Sequence, residues 1–499
     1  MSDRSKSLTV LTLNTLAFTA CFAVWMLNGV LVTYLVDQKI FAFDQVQIGV
    51  LMGVPVLTGS LIRLPVGMLT DRFGGRVVFP VVMLAAAAGC LGLSTATSYG
   101  GFVAGSLGFG LAGTGFAVGI AYTSIWFKKE QQGTALGIFG VGNAGSALTS
   151  MGAPILLGWL TADGVSPEGW RNLPRIYAAG MVAMAVIFSL FTWSKRPEHA
   201  AKTLREELAP LAVLRVWRFG LYYFLVFGGF VALAQWLIPY YVNAYSTSVA
   251  TAGLLAAVFS LPSGLIRALG GWMSDRFGAR STMYWILSIC ALACFLLMVP
   301  RMEISSPGEG VMAAQAGTVT AVTPESVVVG ERRYPLRAKV QRPPDDESAL
   351  VLPRSDFWQE AAVKAGDAVK KKQLLARGVT HIFFQANVWI FTFLAFVVGI
   401  AMGIGKAAVY KYIPEYFPDR VGVVGGIVGV IGGLGGFVGP VLFGYLLRAT
   451  GLWTSCWMLL FGLSIASLLW LHLVVRRMTL ERTPAIAHHF EDGLAAGSS

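Results

Sequence analysis

The chain is poor in charged residues. Asp, Glu, Lys and Arg make up 13% of its 499 residues, whereas apolar residues make up 55%. Soluble domains carry about 25% charged residues, so a soluble enzyme, a nucleic-acid-binding protein and a disordered protein are all excluded. The 38 Lys and Arg outnumber the 26 Asp and Glu and leave a net charge of +12. In so apolar a chain this excess indicates basic loops held on one side of a membrane.

Cysteine is scarce as well. All five cysteines lie within apolar stretches, and none has the spacing of a disulfide framework or a zinc site: Cys21, Cys90, Cys290, Cys294 and Cys456. The sequence also contains neither a Walker phosphate-binding loop nor a catalytic triad. We therefore expect no metal, no cofactor, no enzymatic activity and no process driven directly by ATP.

Long apolar stretches dominate the chain. A membrane-spanning helix needs about 20 apolar residues, and twelve stretches approach or exceed that length, in two sets of six. The first set covers 11–36, 46–70, 77–97, 101–127, 133–160 and 172–194. The second covers 216–243, 250–274, 281–299, 386–413, 421–447 and 454–475. This pattern predicts an all-α membrane protein with 12 transmembrane helices in two pseudo-symmetric six-helix bundles.

Basic residues mark alternate connections between the spans, for example Arg72, Lys128 and Arg476. By the positive-inside rule these connections and both termini are cytoplasmic, as expected for a multi-pass protein of a bacterial inner membrane. The chain then divides into an N-terminal bundle, a cytoplasmic linker, the first part of a C-terminal bundle, a periplasmic insert, the second part of that bundle and a cytoplasmic tail. The corresponding ranges are 1–194, 195–215, 216–300, 301–380, 381–478 and 479–499.

The insert at 301–380 is polar and has a different pattern from the rest of the chain. Its runs 317–322 and 327–329 are typical of short strands, which predicts a small β-rich domain. The stretch VKAGDAVKKKQLL at 363–375 resembles the hairpin of a biotinyl or lipoyl carrier. No lysine occupies the usual attachment turn, so we infer no modified residue, and the role of the insert stays open.

The two halves of the chain repeat one another. Residues 61–76 read LIRLPVGMLTDRFGGR, and residues 265–280 read LIRALGGWMSDRFGAR. This repeated loop resembles the signature of the major facilitator superfamily. The resemblance implies charge contacts at the cytoplasmic helix ends that break when the transporter switches, made by Asp71, Arg72, Arg76, Asp275, Arg276 and Arg280. The alternative is a basic turn that only determines the topology.

Three cations lie within the predicted spans: Arg63, Arg267 and Lys406. Arg63 precedes Asp71 by eight residues, or about 12 Å of helix, which places it near the middle of a 30 Å hydrocarbon layer. The repeat places Arg267 at the same depth in the other half. A mid-membrane arginine costs about 2.5–3.5 kcal/mol on insertion scales and keeps its proton. Because the spans offer no Asp or Glu near that depth, we favour an anion site over two buried ion pairs.

The glycine content of the spans limits the size of that anion. Gly140, Gly142 and Gly145 lie in the fifth span, and the eleventh span carries eight glycines between residues 425 and 439. Small residues allow helix backbones to approach closely, so the glycines either only pack helices or also narrow the site. A narrow site with two arginines favours a small monovalent anion.

Residues 133–154 and 403–440 resemble the two signature regions of the nitrate/nitrite porter family. The resemblance implies transport of nitrate, and of nitrite in some members, without a cofactor and by a chain we expect to be monomeric. Arg63 and Arg267 match the arginines that clamp the substrate. Phe116, Tyr223, Phe227 and Asn143 match residues that line its pocket. Without the resemblance, the three aromatic residues are typical of core packing.

One position departs from the usual signature. Where many members have Gly-Asn-Gly in the tenth span, this chain has Gly405-Lys406-Ala407. Lysine can lose its proton, whereas arginine cannot, so we hypothesise that Lys406 couples proton binding to nitrate import. For Lys406 itself, the alternatives are a fixed third charge and a lysine that extends to the cytoplasmic edge. For the protein, the alternatives are a nitrate/nitrite antiporter, a porter of formate, oxalate or cyanate, and a membrane sensor.

Overall fold

The computed structural model describes residues 3–195, 208–299, 302–339, 354–417 and 421–482. Residues 196–207 of the predicted linker and 483–499 of the predicted tail lie outside this range. The chain forms two compact units. A helical unit comprises Met1–Met298 and Thr392–Ser499, and a second unit comprises Val299–Phe391.

The helices of the first half follow the predicted spans, but most spans consist of more than one helix. Their bounds are α1 (Asp3–Trp25), α2 (Leu27–Asp37), α3 (Gln45–Leu61), α4 (Arg63–Phe73), α5 (Gly75–Ser94), α6 (Tyr99–Phe109), α7 (Gly115–Ser124), α8 (Lys129–Gly140), α9 (Gly145–Leu160) and α10 (Asn172–Phe191). Short 3-10 helices cover Gly110–Thr114, Val141–Ala144 and Pro167–Arg171.

The second half repeats this arrangement with longer final helices. After a 3-10 helix at Ala209–Ala212 come α11 (Leu214–Tyr223), a π-helix at Phe224–Gly229, α12 (Phe230–Tyr245), α13 (Val249–Leu265), α14 (Arg267–Phe277), α15 (Ala279–Leu297), α16 (Val388–Tyr416), α17 (Val421–Thr450) and α18 (Ser455–Arg482).

Within the described residues, ten helices are long and apolar enough to cross a membrane. The pair α13 and α14, bent by 46° at its break, provides an eleventh span. The remaining predicted span, 133–160, is divided by the 3-10 helix Val141–Ala144 into α8 and α9, each shorter than a full crossing. The predicted helical membrane architecture is thus present, and its fifth span consists of α8, the 3-10 helix and α9.

The repeated loop has a local physical cause. Gly74 ends α4 with φ 87°, and Gly278 ends α14 with φ 83°. L side chains disfavour this region of backbone space, and glycine enters it freely. The glycine that follows Asp-Arg-Phe in both repeats is therefore the residue that turns the chain into the next helix.

At the ends predicted to face outward, the two halves meet backbone to backbone. A Cβ built on Gly49 of α3 would lie 2.3 Å from the Pro440 carbonyl oxygen of α17. A Cβ on Gly253 of α13 would lie 2.0 Å from the Ser150 carbonyl oxygen of α9. We call these two contacts the outer seam. Each joins one half to the other, so the halves are closed together at this end.

The second unit is built from antiparallel strands. They are β1 (Met302–Met312), β2 (Gly317–Thr323), β3 (Ser326–Val329), β4 (Arg332–Pro335), β5 (Arg354–Ala361), β6 (Ala368–Val369) and β7 (Leu374–Phe384). They form the sheets β1-β7-β5 and β4-β3-β2-β6. Val319, Val327 and Val329 of one sheet share a core with Leu375 and Ala376 of the other. The predicted β-rich insert is therefore confirmed.

Candidate anion-binding site

Both arginines stand directly after a break in their span. Arg63 is the first residue of α4, which follows the break at Ile62, and Arg267 is the first residue of α14, which follows the break at Ile266. Interrupted helices in the middle of a membrane are characteristic of transporter binding sites. The sequence repeat therefore corresponds to a repeated structural irregularity.

Arg63 is buried, and within the described part of the chain its side chain bonds to backbone carbonyls. The residue is 5% exposed to solvent. Its Nε donates to the Gly113 carbonyl at 3.2 Å, and its Nη1 donates to the Gly429 carbonyl at 3.1 Å. Among the described residues no carboxylate pairs with Arg63 or Arg267. The alternative in which the arginines form buried ion pairs is wrong here.

One phenylalanine ring lies close to both arginines. The Phe116 ring centroid lies 5.3 Å from the guanidinium carbon of Arg63 and 5.6 Å from that of Arg267. Trp25 and Phe227 approach Arg63 at 5.4 and 5.5 Å. Cations are attracted to aromatic faces, but the rings do not neutralise the charge. The structure thus brings together four predicted residues: Arg63, Arg267, Phe116 and Phe227.

The guanidinium of Arg267 retains an unused donor. Its Nη1 is buried and has no hydrogen-bond partner within the described residues. Buried donors are nearly always satisfied in folded proteins, by protein, water or a ligand. This nitrogen, beside the Phe116 ring, is therefore a position where an anion oxygen would be bound.

Tyr223 belongs to the same cluster. So does Tyr410, which the sequence analysis did not identify. The Tyr223 and Phe227 rings stack at 5.0 Å, and the Tyr410 ring meets Tyr223 edge-on at the same distance. Tyr410 also lies 5.9 Å from the guanidinium carbon of Arg267. It follows Lys406 by four residues in α16, and residues four apart share a helix face. That spacing is the signal that could have identified it.

Phe227 lies in the π-helix Phe224–Gly229. A π-turn contains an extra residue and occurs frequently at functional sites. Glycines border the same region. A Cβ on Gly432 would lie 2.1 Å from Tyr223 Cδ1, and one on Gly433 would lie 3.4 Å from Arg63 Nη1. The glycine runs of α17 are therefore required for close packing against the site residues.

Asn143 is fully buried in the 3-10 helix that divides the fifth span. Neither its amide nitrogen nor its amide oxygen has a hydrogen-bond partner within the described residues. On the facing helix α13, a Cβ on Gly264 would lie 3.5 Å from the Asn143 carbonyl carbon. The side chain thus offers a donor and an acceptor that the protein leaves unused.

Lys406 is entirely buried, at 0% exposure. Its Nζ donates to the Ser263 hydroxyl at 3.2 Å and lies 3.1 Å from the centroid of the Phe230 ring. The alternative in which this lysine extends to the membrane edge is therefore wrong. That it faces both arginines stays a prediction, because the contacts found are with α12 and α13.

The charged residues of the two repeated loops make different contacts, and their gating role stays a prediction. In the second half, Asp275 pairs with Lys411 of α16 at 2.5 Å, and Arg280 donates to the Tyr416 hydroxyl at 3.1 Å. In the first half, Arg76 donates to the Ser189 carbonyl at 3.0 Å.

The other three charged residues of the repeated loops are Arg72, Asp71 and Arg276. Arg72 lies 5.3 Å from the ring of its neighbour Phe73. Asp71 and Arg276 stand near the ends of α4 and α14.

Comparisons with known proteins agree with this architecture. The profile of the Major Facilitator Superfamily matches residues 13–323 and 374–494. A Thermus thermophilus protein named as a probable nitrate/nitrite antiporter, NarK1, is 38% identical over 98% of this chain and 96% of its own length. A Bacillus subtilis protein named nitrite extrusion protein is 25% identical over 94% and 95%.

Among solved structures, a bacterial homologue of the human lysosomal transporter Spinster, in an inward-facing and occupied conformation, matches with a TM-score of 0.63. It covers 94% of this chain and 96% of its own at 15% identity, so it supports the fold alone. The predicted fold class is confirmed. The chain belongs to the Major Facilitator Superfamily and, within it, to the nitrate/nitrite porter family.

Proposed function

We propose that the protein carries nitrate across the bacterial inner membrane by alternating access. The observation that supports this most directly is the pair of arginines, one from each half. Both lie within 6 Å of the Phe116 ring, and neither has a carboxylate partner among the described residues. Each half thus contributes one permanent positive charge to a single site. An anion that contacts both would draw the halves together, which is what a substrate must do to permit reorientation.

Nitrate fits this site chemically. It is small, planar and singly charged, so its oxygens match the donor fork of a guanidinium and its face can stack on an aromatic ring. The free Nη1 of Arg267 is a charged donor for such an ion, and we assign the unused amide of Asn143 as a second, neutral donor. The names of the Thermus and Bacillus relatives, which mention nitrate and nitrite, support the same assignment.

We further propose that import is coupled to protons. Moving one monovalent anion inward against 100 mV costs about 2.3 kcal/mol, so accumulation requires a cotransported cation. Lys406 is buried against neutral groups, Ser263 and Phe230, and sits beside the substrate-binding helices. Unlike the two arginines it can change its charge, so it is the residue we assign to proton coupling.

Nitrate/nitrite exchange is the second candidate. It is favoured by the 38% identity with a Thermus protein whose name specifies an antiporter. An exchanger needs no titrating group, because one anion or the other always occupies the two arginines during reorientation. Only symport requires a group that titrates at position 406, so a variant of Lys406 tests the two candidates against each other.

The test is anion uptake by the purified protein in proteoliposomes. Nitrate, nitrite and formate are supplied outside, with and without an imposed pH gradient, acidic outside. Symport predicts nitrate accumulation that depends on the gradient, in empty vesicles. Exchange predicts uptake only into vesicles preloaded with nitrite or nitrate, whatever the gradient. Equal or greater uptake of formate would contradict nitrate as the substrate.

A further inference from the structure

A second cationic site lies away from the two central arginines. A small cleft, partly open to the surface, is bordered by α11, α15, α16 and α18, at the helix ends that carry the basic loops. Its polar wall contains Arg218, Arg280, Tyr222, Tyr412 and Tyr416. Its other wall is aliphatic and comes from α18. By the positive-inside rule this end faces the cytoplasm.

Arg218 is the unusual residue of the cleft. It is 8% exposed, and its Nε is buried without a hydrogen-bond partner. No Asp or Glu of the described residues lines the cleft. A buried charge without an opposite charge is strongly unfavourable. Within the described residues nothing offsets the charge of Arg218, so a bound anion would complete the site.

The neighbouring groups are donors as well. The hydroxyls of Tyr222 and Tyr412 are buried and unpartnered within the described residues. Arg280 reaches the cleft from the first turn of α15 and donates to the Tyr416 hydroxyl at 3.1 Å. The Tyr412 ring is held in place by stacking on Phe219 at 5.1 Å. Guanidinium forks and phenolic hydroxyls that converge in one cleft match the several oxygens of a phosphate group.

The aliphatic wall determines which phosphate fits. Leu471, Val474 and Met478 of α18 border the same cleft. A free inorganic ion gains no binding energy from an aliphatic surface, whereas the acyl chain of a lipid would pack along it. Anionic lipids are also concentrated at the cytoplasmic leaflet, where they attract basic segments of membrane proteins.

We propose that this cleft binds the phosphate of an anionic phospholipid, with Arg218 as the principal contact. The lipid would join α11 and α15 to α16 and α18, all of the second half. Occupation of the cleft therefore makes the second half more stable in membranes rich in anionic lipid.

The experiment uses the full-length protein purified in a neutral detergent. Thermal unfolding is followed while dioctanoyl phosphatidylglycerol, dioctanoyl phosphatidylcholine or inorganic phosphate is titrated. A ligand that binds the folded state raises the unfolding temperature with concentration. We expect phosphatidylglycerol to raise it, and Arg218→Gln to weaken the apparent affinity by about tenfold. The control Arg476→Gln removes an exposed charge from the same end of α18 and should leave the apparent affinity for phosphatidylglycerol unchanged.

Three outcomes decide between the possibilities. Equal stabilisation of wild type and Arg218→Gln by phosphatidylglycerol would overturn the proposal. An Arg218-dependent effect of inorganic phosphate as large as that of the lipid would overturn the lipid assignment and support a site for free phosphate. If Arg218→Gln does not fold, the double variant Tyr222→Phe and Tyr412→Phe keeps the packing and removes two donors. It should weaken phosphatidylglycerol binding in the same direction, and an unchanged affinity would contradict the site.

Discussion

Arg63 Nη1 donates a hydrogen bond of 3.1 Å to the carbonyl oxygen of Gly429, which lies 366 residues later in the opposite half of the transporter. A substrate-binding side chain of one half is thus attached to the backbone of the other. When the halves separate on one side of the membrane, this bond must lengthen or break. The residue that we propose binds the anion therefore also connects the two moving parts.

The first prediction concerns the two arginines. Arg63→Lys or Arg267→Lys keeps the positive charge but loses the planar fork that binds two oxygens. We expect nitrate uptake in proteoliposomes to fall about 100-fold or more in either variant, with normal membrane insertion. Arg175→Lys, at an exposed position in α10, is the matched control and should retain wild-type uptake. Full uptake by either site variant would mean that the residue does not bind substrate.

The second prediction concerns Lys406. Lys406→Asn introduces the commoner signature residue and removes the titrating group. Uptake driven by a pH gradient should be lost, while nitrate/nitrite counterflow persists or increases, because the two arginines remain. The two assays are run on the same vesicles, so protein lost to misfolding would abolish both. Nitrate accumulation by Lys406→Asn in response to a pH gradient would contradict the coupling role.

The third prediction concerns the outer seam. Gly253→Ala places a Cβ within 2.0 Å of the Ser150 carbonyl oxygen, and a backbone atom cannot move aside as a flexible side chain does. We expect the outer end to close poorly and nitrate uptake to drop about tenfold or more. Gly152→Ala is the control, since a Cβ there meets nothing within 4 Å. Similar uptake by both alanine variants would show that the seam does not limit transport.

The fourth prediction concerns the ion pair of Asp275 with Lys411. Their side chains are 63% and 42% exposed, and surface pairs contribute at most about 1 kcal/mol. Asp275→Asn should therefore leave the unfolding temperature nearly unchanged while it alters the uptake rate. The swapped double variant, Asp275→Lys with Lys411→Asp, should recover much of the rate. Failure of the swap, with both single variants slow, would indicate that the pair does not act as a gate contact.

The fifth prediction concerns the β unit. Met302 of β1 pairs with Phe384 of β7, so the two ends of this unit lie side by side. Replacing 302–384 with a short Gly-Ser linker should leave uptake within about twofold of wild type, because short flexible linkers span such gaps. Uptake is normalised to inserted protein. Loss of transport by correctly inserted protein would assign the unit a required function.

The sequence indicated the membrane spans and the two arginines because both depend on partition energies. A charge in the middle of an apolar stretch is visible without any structure. The helix breaks at Ile62 and Ile266 and the π-turn at Phe224–Gly229 were not predicted. Hydropathy reports which residues enter lipid, but it does not report which carbonyl each amide bonds to.

Two aromatic contacts were missed for a related reason. Trp25 and Tyr410 lie within apolar stretches, where an aromatic residue is usually part of the core. The structure shows their proximity to the arginines, since the Trp25 ring lies 5.4 Å and the Tyr410 ring 5.9 Å from a guanidinium carbon. Of the two, only Tyr410 had a signal in the sequence, its spacing of four residues from Lys406. The interruption of the fifth span at Asn143 was also not predicted, although Gly142 and Gly145 stand on either side of it.

The outer seam has a consequence for the direction of transport. Its contacts join glycine to a backbone carbonyl, so closing it immobilises no long side chain and dehydrates no charged group at those positions. We therefore expect only a small free-energy difference between the closed and open outer end. Such a carrier is not a rectifier. We expect it to run inward and outward with comparable ease, so that the ion gradients on the two sides decide the direction in which the proposed substrate moves.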